Sequence, residues 1–213
     1  MYNSVYLILE IIGTVAFSIS GAAVALRKKM DILGVIILGL CTSFGGGVLR
    51  DLILGITPPS VFQNPLYTCV SVASSLMLFI PNIRRILHRH NKLCETVLLV
   101  MDSIGLAVFT VIGIQCAVST CHTKNTFLLL FVGAVTGVGG GVLRDVLSGE
   151  TPYIFLKHFY ACASIIGAAV CVILIKPLGL NLSSVIGGVL IVFLRIMAAL
   201  FRWKLPKSKS VED

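Results

Sequence analysis

Apolar residues run through this chain in seven long stretches, and short polar or charged segments separate them. The stretches lie at about residues 4–26, 32–54, 67–80, 94–118, 126–147, 155–175 and 182–200. Because a helix needs about 20 apolar residues to cross a bilayer, the pattern predicts an all-α integral membrane protein with seven transmembrane helices. We expect a single membrane domain over residues 1–203 and a basic cytoplasmic tail over residues 204–213.

Composition and charge agree with this fold class. The chain is 57% hydrophobic and only 12% charged, with a mean hydropathy of +1.01, whereas soluble domains carry about 25% charged residues. The net charge of +8 comes mainly from Lys and Arg clustered at residues 27–29, 84–92 and 202–209. Since positive loops stay in the cytoplasm, we expect the N-terminus outside the cell and the C-terminus inside. This placement argues against nucleic acid as a partner.

One seven-residue motif occurs twice in the chain. Residues 45–51 read Gly-Gly-Gly-Val-Leu-Arg-Asp, residues 139–145 repeat them, and a Thr-Pro pair follows each copy. Three consecutive glycines cost a helix about 1 kcal/mol per residue relative to alanine, and charged residues within a membrane cost more. A chain that accepts both costs twice is expected to build one site from two halves.

The repeat extends beyond this motif. Two further pairs match at one constant offset: Glu10 with Asp102 and Phe17 with Phe109. Residues 4–83 and 94–175 are therefore interpreted as two copies of a three-helix unit, and the seventh helix at 182–200 is extra. Because three crossings reverse the orientation of the second copy, we expect an inverted repeat whose half-sites meet near the membrane midplane.

The triple glycines predict broken helices 2 and 5. A break exposes backbone carbonyls, which is tolerated only where protein or a water-filled cavity surrounds them. Carbonyls at the end of a half-helix favour cations. The backbone groups expected to serve as monovalent cation ligands are those of Phe44, Gly45, Gly46, Gly139 and Gly140.

Inside the apolar stretches, the charged residues of interest are Glu10, Arg50, Asp51, Asp102, Arg144 and Asp145. Neighbouring residues point about 100° apart on a helix, so Arg50 and Asp51 are not expected to satisfy each other alone. We expect pairing between helices, for instance of Arg50 or Arg144 with an acid of the other repeat. Four acids against two bases leave an excess of negative charge, which concentrates cations along a path. The residues alone support ion conduction and structural pairing equally.

The candidate pathway combines these glycines and charges with two aromatic side chains that could narrow it. Its residues are Gly45, Gly46, Gly47, Arg50, Asp51, Gly139, Gly140, Gly141, Arg144, Asp145, Glu10, Asp102, Phe17 and Phe109. No Ser/His/Asp arrangement, phosphate-binding loop or HExxH motif is present, and the seven cysteines show no metal-ligand spacing. We therefore expect neither an enzyme nor a cofactor.

Over about residues 4–200, the doubled motif with its Thr-Pro ending resembles the prokaryotic branch of the trimeric intracellular cation (TRIC) channel family. The resemblance implies a homotrimer in a bacterial or archaeal inner membrane, surrounded by lipid. Each protomer would have its own pore among helices 1, 2, 4 and 5, permeable to potassium and sodium. The glycines would bend helices 2 and 5, and Arg50 and Arg144 would face the pore. The Lys-Glu-Val element of animal members is absent here.

Related bacterial domains are also labelled glycine-transporter-like, so the resemblance leaves channel and carrier open. The first hypothesis is a monovalent cation channel permeable to potassium. The second is a secondary transporter of a small zwitterion such as glycine, in which Arg50 or Arg144 holds the carboxylate and the acids hold the amine. The third is a membrane scaffold whose repeats serve only packing. The sequence favours the channel.

Overall fold

The described residues of the chain fold entirely into helices and connecting turns. They are residues 4–80, 91–121, 125–156, 159–201 and 203 of a computed structural model, and they contain no strand. The helices are α1 (Ser4–Arg27), α2 (Ile32–Ile53), α3 (Ser60–Gln63), α4 (Pro65–Phe79), α5 (Asn91–Cys121), α6 (Thr126–Leu147), α7 (Tyr153–Leu156) and α8 (Tyr160–Leu200). The predicted all-α fold is confirmed. The predicted tail at 204–213 and most of the basic loop at 84–92 lie outside the described residues.

Five of these helices are long and apolar enough to cross a membrane: α1, α2, α5, α6 and α8. Helix α4 is also apolar but shorter, with 15 residues. Polar side chains set several helix starts, because the first backbone N–H groups of a helix have no partner within it. Asp31 accepts a hydrogen bond from the Gly34 N–H (2.7 Å), and Asn125 accepts from the Phe127 N–H (3.1 Å).

Helix α8 is a hairpin of two arms. Its 41 residues are interrupted at Gly179, where φ is 77° and ψ is 168°, two residues after Pro177. Such a φ favours glycine, and proline removes a helical hydrogen bond. The arms then pack against each other, since a methyl group added to Gly167 would lie 3.0 Å from the Gly187 carbonyl oxygen. Each arm has about the 20 residues that one crossing needs.

The helices pack in two similar groups. Helix α1 contacts α2 and α4, while α5 contacts α6 and α8, and the groups meet through the α1–α5 and α2–α6 interfaces. Two short helices, α3 and α7, occupy equivalent places after α2 and α6. The core of the molecule is therefore the four-helix arrangement of α1, α2, α5 and α6, with α4 and α8 on its outside.

The triple glycines do not interrupt their helices, so the prediction of broken helices 2 and 5 is wrong. Helices α2 and α6 continue through both glycine runs. The two helices instead cross here, backbone against backbone. A methyl group on Gly46 would overlap the carbonyl oxygen of Thr136, and one on Gly140 would overlap that of Thr42. Close packing between membrane helices relies on such small residues, which offsets their low helix propensity.

Continuity of the helices also removes the basis for the predicted backbone cation ligands. In an α-helix each carbonyl accepts a hydrogen bond from the N–H four residues later. The carbonyls concerned lie inside the continuous parts of α2 and α6, so the structure does not leave them free. They belong to Phe44, Gly45, Gly46, Gly139 and Gly140.

Candidate functional site

A first charged cluster, formed by Glu10, Arg50, Asp51, Ser60 and Tyr67, lies where α2 ends. The Arg50 Nε donates to Asp51 Oδ1 (2.7 Å), and its Nη2 donates to Ser60 Oγ (3.0 Å). Asp51 Oδ2 accepts from both the N–H (2.7 Å) and the hydroxyl (2.6 Å) of Ser60. Arg50 and Asp51 are buried. Arg50 pairs with the Asp beside it because its long, flexible side chain reaches that carboxylate. Pairing between helices is found, as expected, for Arg144 and Asp102, although these two residues belong to the same repeat.

Glu10 completes this cluster from α1. Its carboxylate accepts a hydrogen bond from the Tyr67 hydroxyl, which α4 supplies. The same carboxylate lines a small cavity of about 30 Å³. Around Glu10 the polar lining consists of Thr14, Ser43, Arg50, Ser60 and Tyr67, and the ring of Phe109 contributes an apolar wall.

A second cluster, formed by Asp102, Arg144, Asp145, Tyr160 and Arg195, lies where α6 ends. Arg144 Nη1 donates to Asp102 Oδ1 (2.6 Å), and its Nε donates to Asp145 Oδ1 (2.8 Å). The same Nη1 also donates to the hydroxyl of Ser20 on α1 (2.5 Å). Arg144 and Asp102 are completely buried, so this cluster is sealed from solvent.

Arg195, from the second arm of α8, is the charged residue of this cluster that the sequence did not single out. Its Nη2 donates to Asp102 Oδ2 (3.4 Å), and its guanidinium lies 4.7 Å from the centre of the Tyr160 ring. Tyr160 also donates a hydrogen bond to Asp102 Oδ1 (3.4 Å). Arg195 has no counterpart in the first repeat, so a search for repeated residues passes over it. The available signal was a lone charge inside the apolar stretch 182–200, where a charge is costly.

The two clusters share one construction. In each, an Asp Oδ2 accepts a hydrogen bond from the first N–H of the following short helix, Ser60 in α3 and Tyr153 in α7. In each, a tyrosine hydroxyl also bonds to the acid of the group's first helix. The repeated motif therefore encodes a repeated hydrogen-bond arrangement, with equivalent residues in equivalent places.

The clusters lie at opposite ends of the four-helix core. Glu10 belongs to the first, and Ser20, ten residues further along α1, contacts the second, which separates them by about 15 Å. Phe17 and Phe109 lie between, with ring centres 5.2 Å apart, beside the crossing of α2 and α6. The two charged clusters are therefore apart from each other, and the crossing glycines and the two phenylalanines lie between them.

Consecutive glycines of each run face different neighbours, because successive residues on a helix point about 100° apart. Gly45 and Gly139 face leucines of the opposite helix, Leu143 and Leu49. Gly46 and Gly140 form the helix crossing. The third glycine of each run faces a charged cluster. A methyl group on Gly141 would overlap the Tyr160 hydroxyl, whereas one on Gly47 would have nothing nearer than Arg50 Nη2 at 4.0 Å.

An ion pair outside the membrane-spanning segments joins the ends of α1 and α6. Arg27 Nη2 lies 2.9 Å from Glu150 Oε1, and Lys28 Nζ lies 3.2 Å from the same oxygen. Partial burial opposes ionisation of Glu150, but the hydrogen bond from Lys28 and the nearby positive charges outweigh it and lower the pKa of the carboxyl. Glu150 therefore stays charged at neutral pH and holds the two helix ends together.

A cavity of about 550 Å³ is separate from both clusters. It is lined mainly by apolar residues of α1, α5 and the second arm of α8. Across the described ranges, no group of three or more His, Cys, Asp or Glu side chains is arranged to hold a metal ion.

These features define a class: a multi-pass, all-α membrane protein with two similar groups of helices and two internal charged clusters. Comparison with known proteins agrees. A family model described as "Glycine transporter" matches residues 7–82 and 99–176, one match for each unit. The UPF0126 inner membrane protein YadS of Escherichia coli K12 is 34% identical over 200 residues, which cover 93% of each chain.

Solved structures extend the comparison. One, described as "Structural basis for conductance through TRIC cation channels", has 38% identity and a TM-score of 0.84 over 97% of this chain and 98% of that one. The TRIC trimeric intracellular cation channel orthologue from Rhodobacter sphaeroides has 31% identity and a TM-score of 0.85 over 94% and 100%. The chain belongs to the TRIC channel family, in its prokaryotic branch.

Proposed function

We propose that this protein is a monovalent cation channel with a pore in each protomer, formed by α1, α2, α5 and α6. The observation that carries the proposal is the placement of two charged clusters at opposite ends of this one four-helix core. Together they hold four carboxylates and three arginines, a net negative charge that favours cations over anions. The family membership and the channels among its solved structures support the same conclusion.

The proposed pathway runs from one cluster to the other past the glycine crossing. The residues along this pathway would be the candidate pathway residues that the sequence identified, together with Arg195. The backbone carbonyls predicted as cation ligands would not take part, because α2 and α6 are continuous. Phe17 and Phe109 lie on this route and pack into an apolar layer. Apolar constrictions can close a pore by excluding water, so we assign gating to this layer. Movement of α2 against α6 at the glycines would open it.

We further propose seven membrane crossings in one domain over residues 1–203, arranged as two inverted repeats and an extra helix. The two arms of α8 would supply the sixth and seventh crossings, with α4 as the third. The N-terminus would lie outside and the C-terminus in the cytoplasm of a bacterial or archaeal inner membrane. The trimeric name of the Rhodobacter relative supports a homotrimer, surrounded by lipid, that conducts potassium and sodium.

The alternative is a carrier for a small zwitterion such as glycine, which the family model's description favours. The geometry argues against it at two points. Continuous α2 and α6 offer no half-helix amide groups for a carboxylate. Arg50 and Arg144, the other candidate carboxylate ligands, already bind Asp51, Asp102 and Asp145.

Single-channel recording of the purified full-length protein in planar bilayers tests the proposal. We expect unitary current steps with a reversal potential set by the potassium and sodium gradients. The matched assay for the carrier hypothesis is uptake of labelled glycine into proteoliposomes made from the same preparation. Saturable glycine uptake without current steps would replace the channel by the carrier.

A further inference from the structure

The internal repeat allows one cluster to be compared with the other, and they differ at one place. In the second cluster, the carboxylate of Asp102 is flanked by two cations, Arg144 and Arg195. In the first cluster, Glu10 occupies the equivalent position. The wall of the cavity beside it contains a single basic side chain, Arg50. The first cluster instead has a cavity of about 30 Å³ beside Glu10.

The charge balance differs in the same way. Asp102 and Asp145 are matched by Arg144 and Arg195, so the second cluster is neutral when all four groups are ionised. In the first cluster, Glu10 and Asp51 share one Arg50. That guanidinium directs its hydrogen bonds to Asp51 and Ser60. When Glu10 and Asp51 are both ionised, one negative charge remains uncompensated in a half-buried place, where an unpaired charge is costly.

We propose that this cavity binds one monovalent metal cation, and that Arg195 is the tethered equivalent of that ion in the second repeat. The inference rests on the proposed channel function, because it places an ion site on the conduction path. The second cluster already demonstrates the chemistry. There, a carboxylate with a tyrosine hydroxyl bonded to it holds a positive charge beside an arginine, with Arg195 3.4 Å from Asp102 Oδ2.

The cavity offers oxygen ligands suited to such an ion. Besides the Glu10 carboxylate, the hydroxyls of Thr14 and Ser43 line it. The Ser43 hydroxyl donates to the Gly39 carbonyl (3.0 Å) and lies 3.0 Å from the Ser71 hydroxyl. If Ser71 donates to it, one of the two lone pairs of the Ser43 oxygen remains for an ion. A volume of about 30 Å³ accommodates one small ion or one water, because a single water needs only about 10–15 Å³. One uncompensated charge matches a monovalent rather than a divalent cation.

Thallium(I), a potassium analogue with strong anomalous X-ray scattering, gives a direct test. Crystals of the full-length protein grown with thallium should show an anomalous peak in the cavity beside Glu10, and excess potassium should displace it. The peak should disappear in Glu10→Gln. It should persist in Glu95→Gln, the same change at an exposed position of α5. Absence of the peak in the wild type, or its persistence in Glu10→Gln, would overturn the inference.

Two further variants keep the test decisive if Glu10→Gln does not fold. Thr14→Val removes one hydroxyl with little change of shape and should lower the occupancy of the peak. Arg195→Met should create a second thallium peak beside Asp102, which the wild type lacks. A folded Arg195→Met protein without that peak would contradict the proposed equivalence of Arg195 and the ion.

The outcomes separate this inference from the proposed function. Ion binding in crystals does not require conduction. A thallium site in a protein that passes no current would therefore support the inferred ion site and contradict the proposed channel function. Cation current from a protein with no thallium peak beside Glu10 would support the proposed channel function and contradict the inferred ion site.

Discussion

At the scale of single residues, the structure explains how charges survive inside an apolar helical core. The guanidinium groups of Arg50 and Arg144 each contact more than one oxygen, and the carboxylates also bind N–H or hydroxyl groups. Arginine suits this role because its planar group presents five donors in a rigid fork and remains charged. Removing one member of such a set leaves some hydrogen-bonding groups of the others buried without a partner.

Asp102→Ala tests this dependence. The change removes the shared partner of Arg144 and Arg195, and we expect it to lower the free energy of unfolding by about 3–5 kcal/mol, the usual effect of breaking a buried ion pair. Glu95→Ala, at an exposed position of α5, should change stability by no more than about 0.5 kcal/mol. Denaturant unfolding of both variants in detergent measures the difference. Equal stabilities would mean that Asp102 is not a structural partner of the arginines.

At the scale of elements, the triple glycine acts as a packing device with three separate faces. Gly46 and Gly140 bring α2 and α6 into backbone contact. The glycines before them make room for leucines, and those after them adjoin the charged clusters. One small residue per turn would be enough for the crossing alone. The charged clusters and the opposing leucines account for the other two positions.

Two neighbouring alanine substitutions in α2 test this reading. Gly46→Ala would drive a methyl group into the Thr136 carbonyl, and we expect a loss of about 1–3 kcal/mol, as for other overpacked cores. Gly47→Ala meets nothing nearer than 4.0 Å and should stabilise α2 by up to about 1 kcal/mol through helix propensity. Unfolding in detergent compares them. If Gly47→Ala destabilises the protein as much as Gly46→Ala, an unwound glycine segment would explain the motif better than close packing.

At the scale of the whole molecule, the two units place equivalent clusters at opposite ends of one core. Helix α1 runs from one cluster to the other. Glu10, near its start, belongs to the first cluster, and Ser20, towards its end, contacts the second. The α8 hairpin breaks the symmetry, because only its second arm supplies an extra charge, Arg195. The second cluster is therefore neutral and sealed, whereas the first keeps an uncompensated acid and a cavity.

The predicted orientation belongs to this scale, because it depends on the distribution of charge over all the loops. With a single cysteine at Asn3 in a background without other cysteines, a membrane-impermeant thiol reagent added to intact cells should label the protein. A cysteine at Ser208 should be labelled only after the membrane is permeabilised. Labelling of position 208 but not position 3 in intact cells would reverse the orientation.

The sequence by itself determined the membrane class, the doubled motif and the identity of five buried charges, Arg50, Asp51, Asp102, Arg144 and Asp145. These follow from local properties, namely hydropathy over about 20 residues and the return of the same motif. The helix bounds of α2 and α6 also agree closely with the apolar stretches 32–54 and 126–147.

Only the tertiary structure decided what the glycines do and which charges pair. Propensity disfavours three glycines in a helix, but packing against another helix reverses that balance, and the partner cannot be read from the segment alone. The contact of Arg195 with Asp102 joins residues 93 positions apart. It depends on α8 folding back upon itself, which no local pattern in either segment specifies.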